Sequence, residues 1–460
     1  MKDLADTICA LSTPPGRSGL AVVRVSGSQS IALLHQFFVT KRNYDSLPSR
    51  RATLGKIINP IKGYTIDEAI AVFFNAPNTY TGEDMVEVSM HGSPVLITEL
   101  LECLCAMGSR LAEPGEFTMR AFLNGRLDLT QAEAINDIIG ATTLYQAQVA
   151  ARQHSGALSQ ELKPVKDRII EIIANLESAV EFVEEDLGLA SREAMAAQLS
   201  LVRIQLEEWI KLYRSGRIVR EGFSLAIVGK PNVGKSSLFN SLLAKDRSIV
   251  SEMPGTTRDL VSEYLNIEGI PVRLLDTAGI QSTADHIERL GIDRSFQAIA
   301  DADAVLLVLD ASRPCGEEDM ELRNSLGGFS CIAVMNKSDL VSRWSTDEKK
   351  EFAGEWQWID VSAKMGSGVR ELRTAMLSGL LGMDNARTDS VLITNIRHVH
   401  CLESAEEQLE LAGKVLQEGL SEEFALVHLH NGLKKIGEIT GETSVDDLLQ
   451  EIFSRFCIGK

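Results

Sequence analysis

The sequence predicts a multidomain protein of mixed α+β and α/β class. It combines a mixed α/β N-terminal module, a helical domain built from two separate segments, and an inserted α/β domain with a mainly parallel sheet. Three observations predict this fold class. The chain has 460 residues, about three times the roughly 150 residues of a typical domain. Apolar stripes at helical spacing flank residues 217–381. Within that segment, strands alternate with helices.

Composition excludes several classes of protein. A hydrophobic fraction of 44% and a charged fraction of 24% exclude a largely disordered chain. No apolar run reaches the roughly 18 residues that a membrane span needs, and Met1–Asp6 lacks the basic start of a signal peptide. We therefore expect a cytoplasmic protein without a membrane anchor. The seven cysteines include no Cys-x-x-Cys pair, which favours reduced thiols over disulfides or structural zinc.

The net charge of −18 is unevenly distributed. Residues 1–124 carry 11 Lys and Arg against 12 Asp and Glu, so nearly all the excess acid lies beyond them. Nucleic acid repels so acidic a chain as a whole. Handling of RNA would thus need a basic partner or a local basic surface. Lys41-Arg42 and Arg50-Arg51 are candidates for that surface, although these pairs are also explained as solvated loop residues.

The N-terminal module, residues 1–124, is predicted to be rich in strands. Leu20–Val25 and Ala69–Phe74 are short runs of valine, isoleucine and phenylalanine bounded by glycine, proline and asparagine. Met85–Met90 alternates less cleanly and leads into an apolar helix near Leu96–Met107. These segments predict a sheet with at least one helix packed against it.

Two helical segments, residues 125–216 and 382–460, each carry an apolar stripe that needs a partner. The economical solution is that the two segments pack together, which makes residues 217–381 an insertion. Arg214–Gly222 contains glycine and arginine and predicts a hinge before that insertion. The stripe residues are Leu158, Leu162, Val165, Ile169, Ile172, Leu176, Val180 and Val183 in the first segment, and Leu402, Ala405, Leu409, Ala412 and Leu416 in the second.

A phosphate-binding loop is predicted after the apolar strand Phe223–Val228. The following residues, Gly229–Ser237, match Gly-x4-Gly-Lys-Ser in a strand–loop–helix context, although a chance loop is the alternative. Glycines let backbone N–H groups surround phosphates, and the helix contributes its positive N-terminal end. Lys235 can reach the β and γ phosphates, and the Ser236 hydroxyl can bind Mg²⁺. The predicted binding residues of this loop are Asn232, Val233, Gly234, Lys235, Ser236 and Ser237.

Polar motifs follow later apolar segments. Asp276, after the strand Val272–Leu275, is placed to hold Mg²⁺ through water. Asp339, after the strand Cys331–Met335, can accept from two guanine N–H groups, whereas adenine offers no matching pair of donors. In this order behind a phosphate loop, the motifs predict GTP rather than ATP. The predicted nucleotide-binding residues are Asp276, Thr277, Ala278, Gly279, Asn336, Lys337, Asp339, Ser362, Ala363 and Lys364.

This site resembles that of the translation-factor-related GTPases. Gly255–Asp259 lies where those proteins have the switch that closes over the γ-phosphate, so Thr257 would be a second hydroxyl ligand of Mg²⁺. Ras-type enzymes carry a water-orienting glutamine where this chain has Ile280. An aliphatic side chain cannot position water, so another group must, and Asp285 and Glu288 are the nearby carboxylates.

Over essentially its whole length the chain resembles the MnmE family of tRNA-uridine modification GTPases. The matching motifs are Thr13–Arg17, Arg24–Gly27, Tyr80–Asp84, His91-Gly92, Glu113–Phe117, Arg120–Leu129 and Ser454–Lys460. The resemblance implies that residues 1–124 bind 5-formyl- or 5,10-methylene-tetrahydrofolate and form a homodimer. It also implies a helical domain of residues 125–216 and 382–460 around a Ras-like P-loop GTPase domain at 217–381.

The resemblance further assigns roles to particular residues. It implies that the folate contacts are Arg24, Glu87, Arg126 and Lys460, with arginine at 126 where some family members have lysine. It implies K⁺-dependent hydrolysis and a catalytic Glu288 that orients the attacking water. The K⁺ ligands, by side chain or backbone, would be Asn232, Ser251, Met253 and Thr256.

Cys457 and the histidine pairs have competing interpretations. The tail Cys-Ile-Gly-Lys superficially resembles a prenylation box, but Gly459 is not aliphatic. A buried inert thiol and a functional tail that reaches the folate pocket remain open, and the resemblance favours the tail. His398/His400 and His428/His430 have two-residue spacing, which points their side chains apart on a helix and disfavours metal binding.

The leading hypothesis is a K⁺-activated GTPase that acts with MnmG, an FAD-dependent partner, in a heterotetramer or larger complex. Together they would install an aminomethyl or carboxymethylaminomethyl group at C5 of the wobble uridine, position 34, of certain tRNAs, with a tetrahydrofolate as one-carbon donor. One alternative is a regulatory GTPase such as a ribosome-assembly factor, for which a basic RNA-binding module is expected. Another is a dimeric scaffold with a vestigial GTP site, which the intact Lys235, Ser236, Asp276 and Asp339 disfavour.

Overall fold

A computed structural model describes residues 6–41, 49–181, 191–243, 262–276, 302–380, 393–443 and 446–460. Its strands are β1 Ile8–Leu11, β2 Ser18–Ser26, β3 Phe38–Val39, β4 Thr53–Ile58, β5 Thr65–Phe74, β6 Met85–Gly92, β7 Arg110–Leu111, β8 Phe223–Val228, β9 Ser262–Ile267, β10 Ile270–Asp276, β11 Ala304–Asp310, β12 Cys331–Asn336 and β13 Gln357–Val361.

The helices alternate with these strands or follow them. They are α1 Ser30–Phe37, α2 Pro94–Ala106, α3 Glu116–Leu123, α4 Leu129–Gly140, α5 Leu144–His154, α6 Ala157–Glu181, α7 Arg192–Glu221, α8 Lys235–Leu243, α9 Glu317–Ser325, α10 Thr346–Ala353, α11 Val369–Ala375, α12 Ile396–Gln417, α13 Glu422–Thr440 and α14 Asp446–Ser454. None of those in the described part of the chain is long and apolar enough to cross a membrane.

The chain forms two compact units. The first contains residues 1–136, 153–164 and 433–460, and the second contains residues 137–152 and 165–432. The sheet of the first unit has the order β3-β4-β5-β6-β2-β1-β7 and is antiparallel except for the β1–β7 pair. The predicted mixed α/β module with strands near Leu20–Val25, Ala69–Phe74 and Met85–Met90 is therefore confirmed.

One face of the first sheet is covered and the other carries polar and charged groups. Along β2, Val23 and Val25 are buried in the core with α1 and α2, because alternate side chains of a strand point to the same face. Arg24 lies between them and faces the other way. Its partner across the β2–β6 ladder is Glu87, so the two side chains lie side by side on the second face, which α3 covers in part.

The C-terminal segment belongs to the first unit. Phe453 and Phe456 pack with Leu129 and Ala132 in an apolar cluster. Gly115, with φ of 68°, lies against them, since a Cβ there would come within 2.6 Å of the Phe453 carbonyl oxygen. This packing anchors the helix α14 and directs the last four residues back toward β1.

The second unit contains a six-stranded sheet of order β13-β12-β11-β8-β10-β9. All neighbouring strands are parallel except β9 and β10. The central strands are fully buried: all seven residues of β11 and all six of β12 are enclosed, as expected for strands with helices on both faces. The inserted α/β domain with a mainly parallel sheet is thus confirmed.

The helical part of the second unit packs α12 against α7. The predicted stripe of α12, including Leu402, Leu409 and Leu416, is buried. In α6 the stripe from Leu158 to Leu176 is buried too, whereas Val183 lies outside the described residues. The two helical segments flank the sheet in the sequence, which agrees with an insertion.

The predicted hinge at Arg214–Gly222 is wrong. These residues complete α7, which runs without interruption to Glu221 and ends at Gly222, whose φ is 84°. The helix needs glycine at position 216, because a side chain there would collide with the backbone of Ile393. Close packing, rather than flexibility, accounts for this glycine.

Candidate functional site

The loop between β8 and α8 has the shape that a phosphate requires. Gly229 leaves β8, and a Cβ there would collide with the carbonyl of Val308. Gly234 has a φ of 97°, and a Cβ there would collide with the Asn336 amide. Only glycine suits either position, so the backbone N–H groups can line a concave loop that ends at the N-terminus of α8.

Lys235 is held inside this loop. Its ammonium donates to the carbonyl oxygens of Gly229 and Lys230, both at 2.8 Å. Ser236 and Ser237 follow on the first turn of α8 and are exposed. A cation, a helix N-terminus and two accessible hydroxyls therefore surround the predicted phosphate position.

Asn336 connects the loop to the segments that the sequence predicts to contact the base. It is 2% exposed, and its amide nitrogen donates to the carbonyl of Val233 at 2.8 Å. Its amide oxygen accepts from the backbone N–H of Ala363 at 3.0 Å. The buried Asn336 side chain thus joins its own segment to the phosphate loop, at Val233, and to the turn that contains Ala363.

Asp339 is oriented by Ser362. The buried Ser362 hydroxyl donates to Asp339 Oδ1 at 2.6 Å, and Lys364 lies beside the same carboxylate. This hydrogen bond, against a small effect of burial, holds the pKa of Asp339 below its ordinary value. The carboxylate is therefore ionised and exposed, as an acceptor for two N–H groups of guanine must be.

Lys337 makes contacts that sequence reasoning did not anticipate. Its ammonium donates to the carbonyl of Asn232 at 2.9 Å and to Asp310 Oδ2 at 2.6 Å. Asp310 terminates β11 and was missed. The signal was available, since a polar residue at the end of an apolar strand had already singled out Asp276 and Asn336.

Part of the predicted nucleotide site lies outside the described residues. Asp276 is the last residue of β10, and β10 pairs with β8. The residues of the site that fall outside the described ranges are Ser251, Met253, Thr256, Thr257, Thr277, Ala278, Gly279 and Glu288, together with Ile280 and Asp285.

A second cluster forms on the second face of the sheet in the first unit. The Arg24 guanidinium donates to Glu87 Oε1 through Nε at 3.0 Å and Nη2 at 2.7 Å. It also lies over the rings of Tyr80 and Phe117, at 5.1 and 5.6 Å from their centroids. The two rings hold the Arg24 guanidinium in place, and the Glu87 carboxylate that it binds is therefore held in place as well.

The C-terminal tail enters this cluster. The carbonyl of Gly459 accepts from Ser12 Oγ at 3.1 Å and from Arg24 Nη1 at 3.3 Å. Lys460 is partly buried beside Arg24 and Glu87. Burial, and then the charge of Arg24, lowers the pKa of its ammonium. Residues more than 400 positions apart therefore meet in one polar cluster.

Arg126 and Cys457 lie at the margin of the same cluster. Arg126 donates from Nε to the carbonyl of Thr79 at 3.1 Å, one residue before Tyr80. The carbonyl of Cys457 accepts from the backbone N–H of Lys460 at 3.3 Å, while its thiol is exposed. The interpretation of Cys457 as a buried inert thiol is therefore wrong.

A buried ion cluster supports this region. Arg120 is 1% exposed and donates to Glu116 at 3.0 Å and to Glu83 at 3.1 Å, and it also pairs with Asp6. Arg110 pairs with the same Glu116 at 2.6 Å. Glu83 and Glu116 lie in sequence motifs of the resemblance and Asp6 does not, and nothing in their local pattern indicated a buried network.

The histidines of the two pairs lie in different surroundings. His398 is buried, and His428 Nδ1 lies 2.9 Å from Gln408 Oε1. Within the described ranges, no group of three or more His, Cys, Asp or Glu side chains could hold a metal ion. All seven cysteines lie in those ranges, and none forms a disulfide.

Similarity to known proteins extends over nearly the whole chain. Residues 7–126 match the family described as the GTP-binding protein TrmE N-terminus, and residues 129–457 match the MnmE helical domain. The chain is 43% identical over 459 residues to a tRNA modification GTPase MnmE of Koribacter versatilis, with 100% of both chains covered. It is 42% identical to the protein of that name in Aquifex aeolicus, with 99% of this chain and 100% of the other covered.

Proposed function

Because this chain belongs to the MnmE family of tRNA modification GTPases, we propose that its GTPase is activated by K⁺ and drives modification of a tRNA wobble uridine with a bound folate. The observation that carries the proposal is that Arg24, Glu87 and Lys460 lie together in one cluster. A GTPase that only switches between two states has no need of such a cluster.

The nucleotide is bound by groups already in place. Lys235 and the N-terminus of α8 attract the phosphates, while Asp339, ionised and oriented by Ser362, selects guanine. Asn336 keeps the two halves of the site at a fixed distance. Positioning of this kind is the main contribution that a protein makes to phosphoryl transfer.

Two cations fit the residues of the loop. Hydroxyl and amide oxygens suit hard cations, and the exposed Ser236 hydroxyl offers one such ligand for Mg²⁺, with Thr257 as the second. Asn232 is exposed at the rim of the loop and offers an amide oxygen for K⁺, with Ser251, Met253 and Thr256 completing the shell. A cation there supplies the charge that an arginine supplies in other GTPases.

Glu288 is the proposed water-orienting residue. The position that carries glutamine in Ras-type enzymes is Ile280 in this chain. A carboxylate that accepts a hydrogen bond from the attacking water keeps it in line with the γ-phosphate. Glu288 would do so without contributing to GTP affinity.

The cluster around the tail fits a reduced folate. Glu87 is a fixed carboxylate, which suits the adjacent N–H donors of a pterin. Lys460 and Arg126 are cations that suit the carboxylates of the glutamate tail. The proposed ligand is 5-formyl- or 5,10-methylene-tetrahydrofolate, which supplies a one-carbon unit when bound. The exposed thiol of Cys457 lies on the same tail.

The first unit is also the proposed dimerisation surface. Leu54 and Ile70 are exposed and pair directly across the β4–β5 ladder. Ile70 in turn pairs with Ser89, which pairs with Val22. This strip crosses the second face of the sheet, from the exposed Leu54 toward Arg24 and Glu87. Burial of exposed apolar side chains is the usual driving force of homodimer formation.

The tRNA is proposed to be held largely by a partner. With a net charge of −18, the chain as a whole repels nucleic acid. An FAD-dependent protein of the MnmG type, in a heterotetramer or larger complex, would provide the basic surface. The product would be an aminomethyl or carboxymethylaminomethyl group at C5 of uridine 34.

Two measurements on the full-length chain test the proposal. GTP turnover is compared in equal concentrations of KCl and NaCl, and binding of 5-formyltetrahydrofolate is measured by calorimetry. Turnover stimulated by K⁺ together with folate binding is the expected result. K⁺-independent turnover without folate binding would favour a regulatory GTPase such as a ribosome-assembly factor, and absence of turnover would favour a scaffold.

A further inference from the structure

Asp310 is a buried carboxylate beside the nucleotide site that none of the proposed steps uses. It is 8% exposed, although aspartate is rarely buried unless it is paired. Oδ1 accepts from the backbone N–H and the hydroxyl of Ser312, at 3.0 and 2.6 Å. Oδ2 accepts from Lys337 Nζ at 2.6 Å, and the exposed Arg313 lies 3.7 Å from the same oxygen.

The same ammonium reaches the phosphate loop. Lys337 Nζ donates to the carbonyl of Asn232 at 2.9 Å. Asn232 and Lys337 have φ values of 63° and 65°, which few residues other than glycine adopt. Such conformations persist only where surrounding contacts hold them. Each residue is thus held by a contact with the other.

The carboxylate is what keeps the lysine in this position. Burial raises the pKa of Asp310, but the hydrogen bonds from Lys337 and Ser312 outweigh it and hold that pKa below the ordinary range. The aspartate is therefore ionised. Removing its charge would deprive a partly buried ammonium of this anionic partner, which favours its movement toward water.

We infer that Asp310 is a positioning residue: acting through Lys337, it fixes the backbone of Asn232 and so sets both nucleotide affinity and the response to K⁺. The chain of contacts runs from the end of β11 to the loop residue whose side chain is the proposed K⁺ ligand. The K⁺ part rests on the proposed function, whereas the nucleotide part rests only on the contacts.

The test uses full-length Asp310→Asn, which keeps the shape and removes the charge. We expect the K⁺ concentration for half-maximal turnover to rise about tenfold and the Kd for GDP to weaken about threefold to tenfold. The kcat at saturating GTP and K⁺ should stay within about twofold, because Asp310 is neither a proposed metal ligand nor in contact with the reacting phosphate or water. Asp310→Glu should restore part of both losses.

Asp360→Asn is the matched control. Asp360 also pairs with a lysine, Lys349, and lies in β13 of the same sheet, so this variant removes an equivalent charge elsewhere. It should change neither the K⁺ concentration for half-maximal turnover nor the Kd for GDP. Should Asp310→Asn fail to fold, Ser312→Ala, which removes one hydrogen bond from the carboxylate, should shift both quantities in the same direction by a smaller factor.

The outcomes separate this inference from the proposed function. Unchanged GDP affinity and unchanged K⁺ response in a folded Asp310→Asn variant overturn the inference. So does a fall in kcat alone, or a matching change in Asp360→Asn. If the wild-type enzyme itself ignores K⁺, the proposed role of K⁺ fails, and the GDP affinities alone then decide whether Asp310 positions the loop.

Discussion

Gly459→Ala should displace the C-terminal tail and weaken binding at the proposed folate site without affecting the proposed nucleotide site. Gly459 has a φ of 92°, and a Cβ there would lie 2.9 Å from the Cα of Ser12 and closer still to the carbonyl oxygen of Leu11. Carbon atoms approach one another to about 3.5 Å without repulsion. The tail must therefore move by about 0.6 Å or more, away from backbone that cannot yield.

The displacement breaks identifiable contacts. The Gly459 carbonyl would lose hydrogen bonds from Ser12 and Arg24, each contributing about 0.5–1.5 kcal/mol net. The expected loss of stability is therefore about 1–3 kcal/mol. Folate affinity should fall by at least about tenfold, because Lys460 no longer lies beside Glu87 and Arg24.

The assay is calorimetric titration of the full-length variant with 5-formyltetrahydrofolate, alongside titration with GDP. Gly63→Ala is the control, since Gly63 has a φ of 78° but a Cβ there meets no atom within 4 Å. It adds the same backbone strain without a collision. Wild-type folate affinity in Gly459→Ala would refute the assignment of the tail to the pocket, and equal losses in both variants would indicate strain alone.

Three further results are expected. Glu288→Ala should abolish GTP turnover while GDP and GTP affinities stay near those of the wild type; equal loss of turnover and affinity would contradict the water-orienting role. Asp339→Asn should weaken GTP binding about a hundredfold by titration, because one of two guanine-facing acceptors becomes a donor, and unchanged affinity would exclude Asp339 from base recognition. Although burial opposes ionisation of Glu116, its bonds with Arg110, Glu113 and Arg120 hold its pKa below the ordinary value. Its stabilisation is therefore complete above the unfolded pKa, near 4.5, and is lost as the pH falls through the lower folded pKa. Glu116→Gln should lower the free energy of unfolding at pH 7 and flatten its decline below about pH 5 in urea titrations; parallel pH profiles would exclude this linkage.

Local sequence patterns were enough to predict the strands, loop and helix that carry the proposed nucleotide site. Gly229, Gly234 and Lys235 are close in the chain, and their roles follow from one strand, one loop and one helix. Asn336 and Asp339 were identifiable because each follows an apolar strand of a parallel sheet, whose carboxyl ends share an edge. No long-range contact had to be known.

The cluster of Arg24, Glu87 and Lys460, the proposed folate site, could not be predicted from local patterns. Arg24 and Glu87 are adjacent only because of the β2–β6 register. Lys460 lies beside them because the Gly459 carbonyl accepts from Arg24, 435 positions away in the sequence. Only resemblance to a family placed them together. Tyr80 and Asp310 were missed for a related reason. The contact of Tyr80 with Arg24 and that of Asp310 with Lys337 join distant parts of the chain, so no spacing in the sequence indicates them.

The helix α7 has a mechanical consequence. It contains 30 residues, and at 1.5 Å per residue it is a rod about 45 Å long. Its C-terminal turn is built into the core beside β8 through Ile218 and Val219, while its earlier turns carry α12. A rotation of the nucleotide-binding sheet would therefore act on this rod as on a lever. Small displacements near the phosphate loop would become larger ones at its far end, where Arg192 pairs with Glu422.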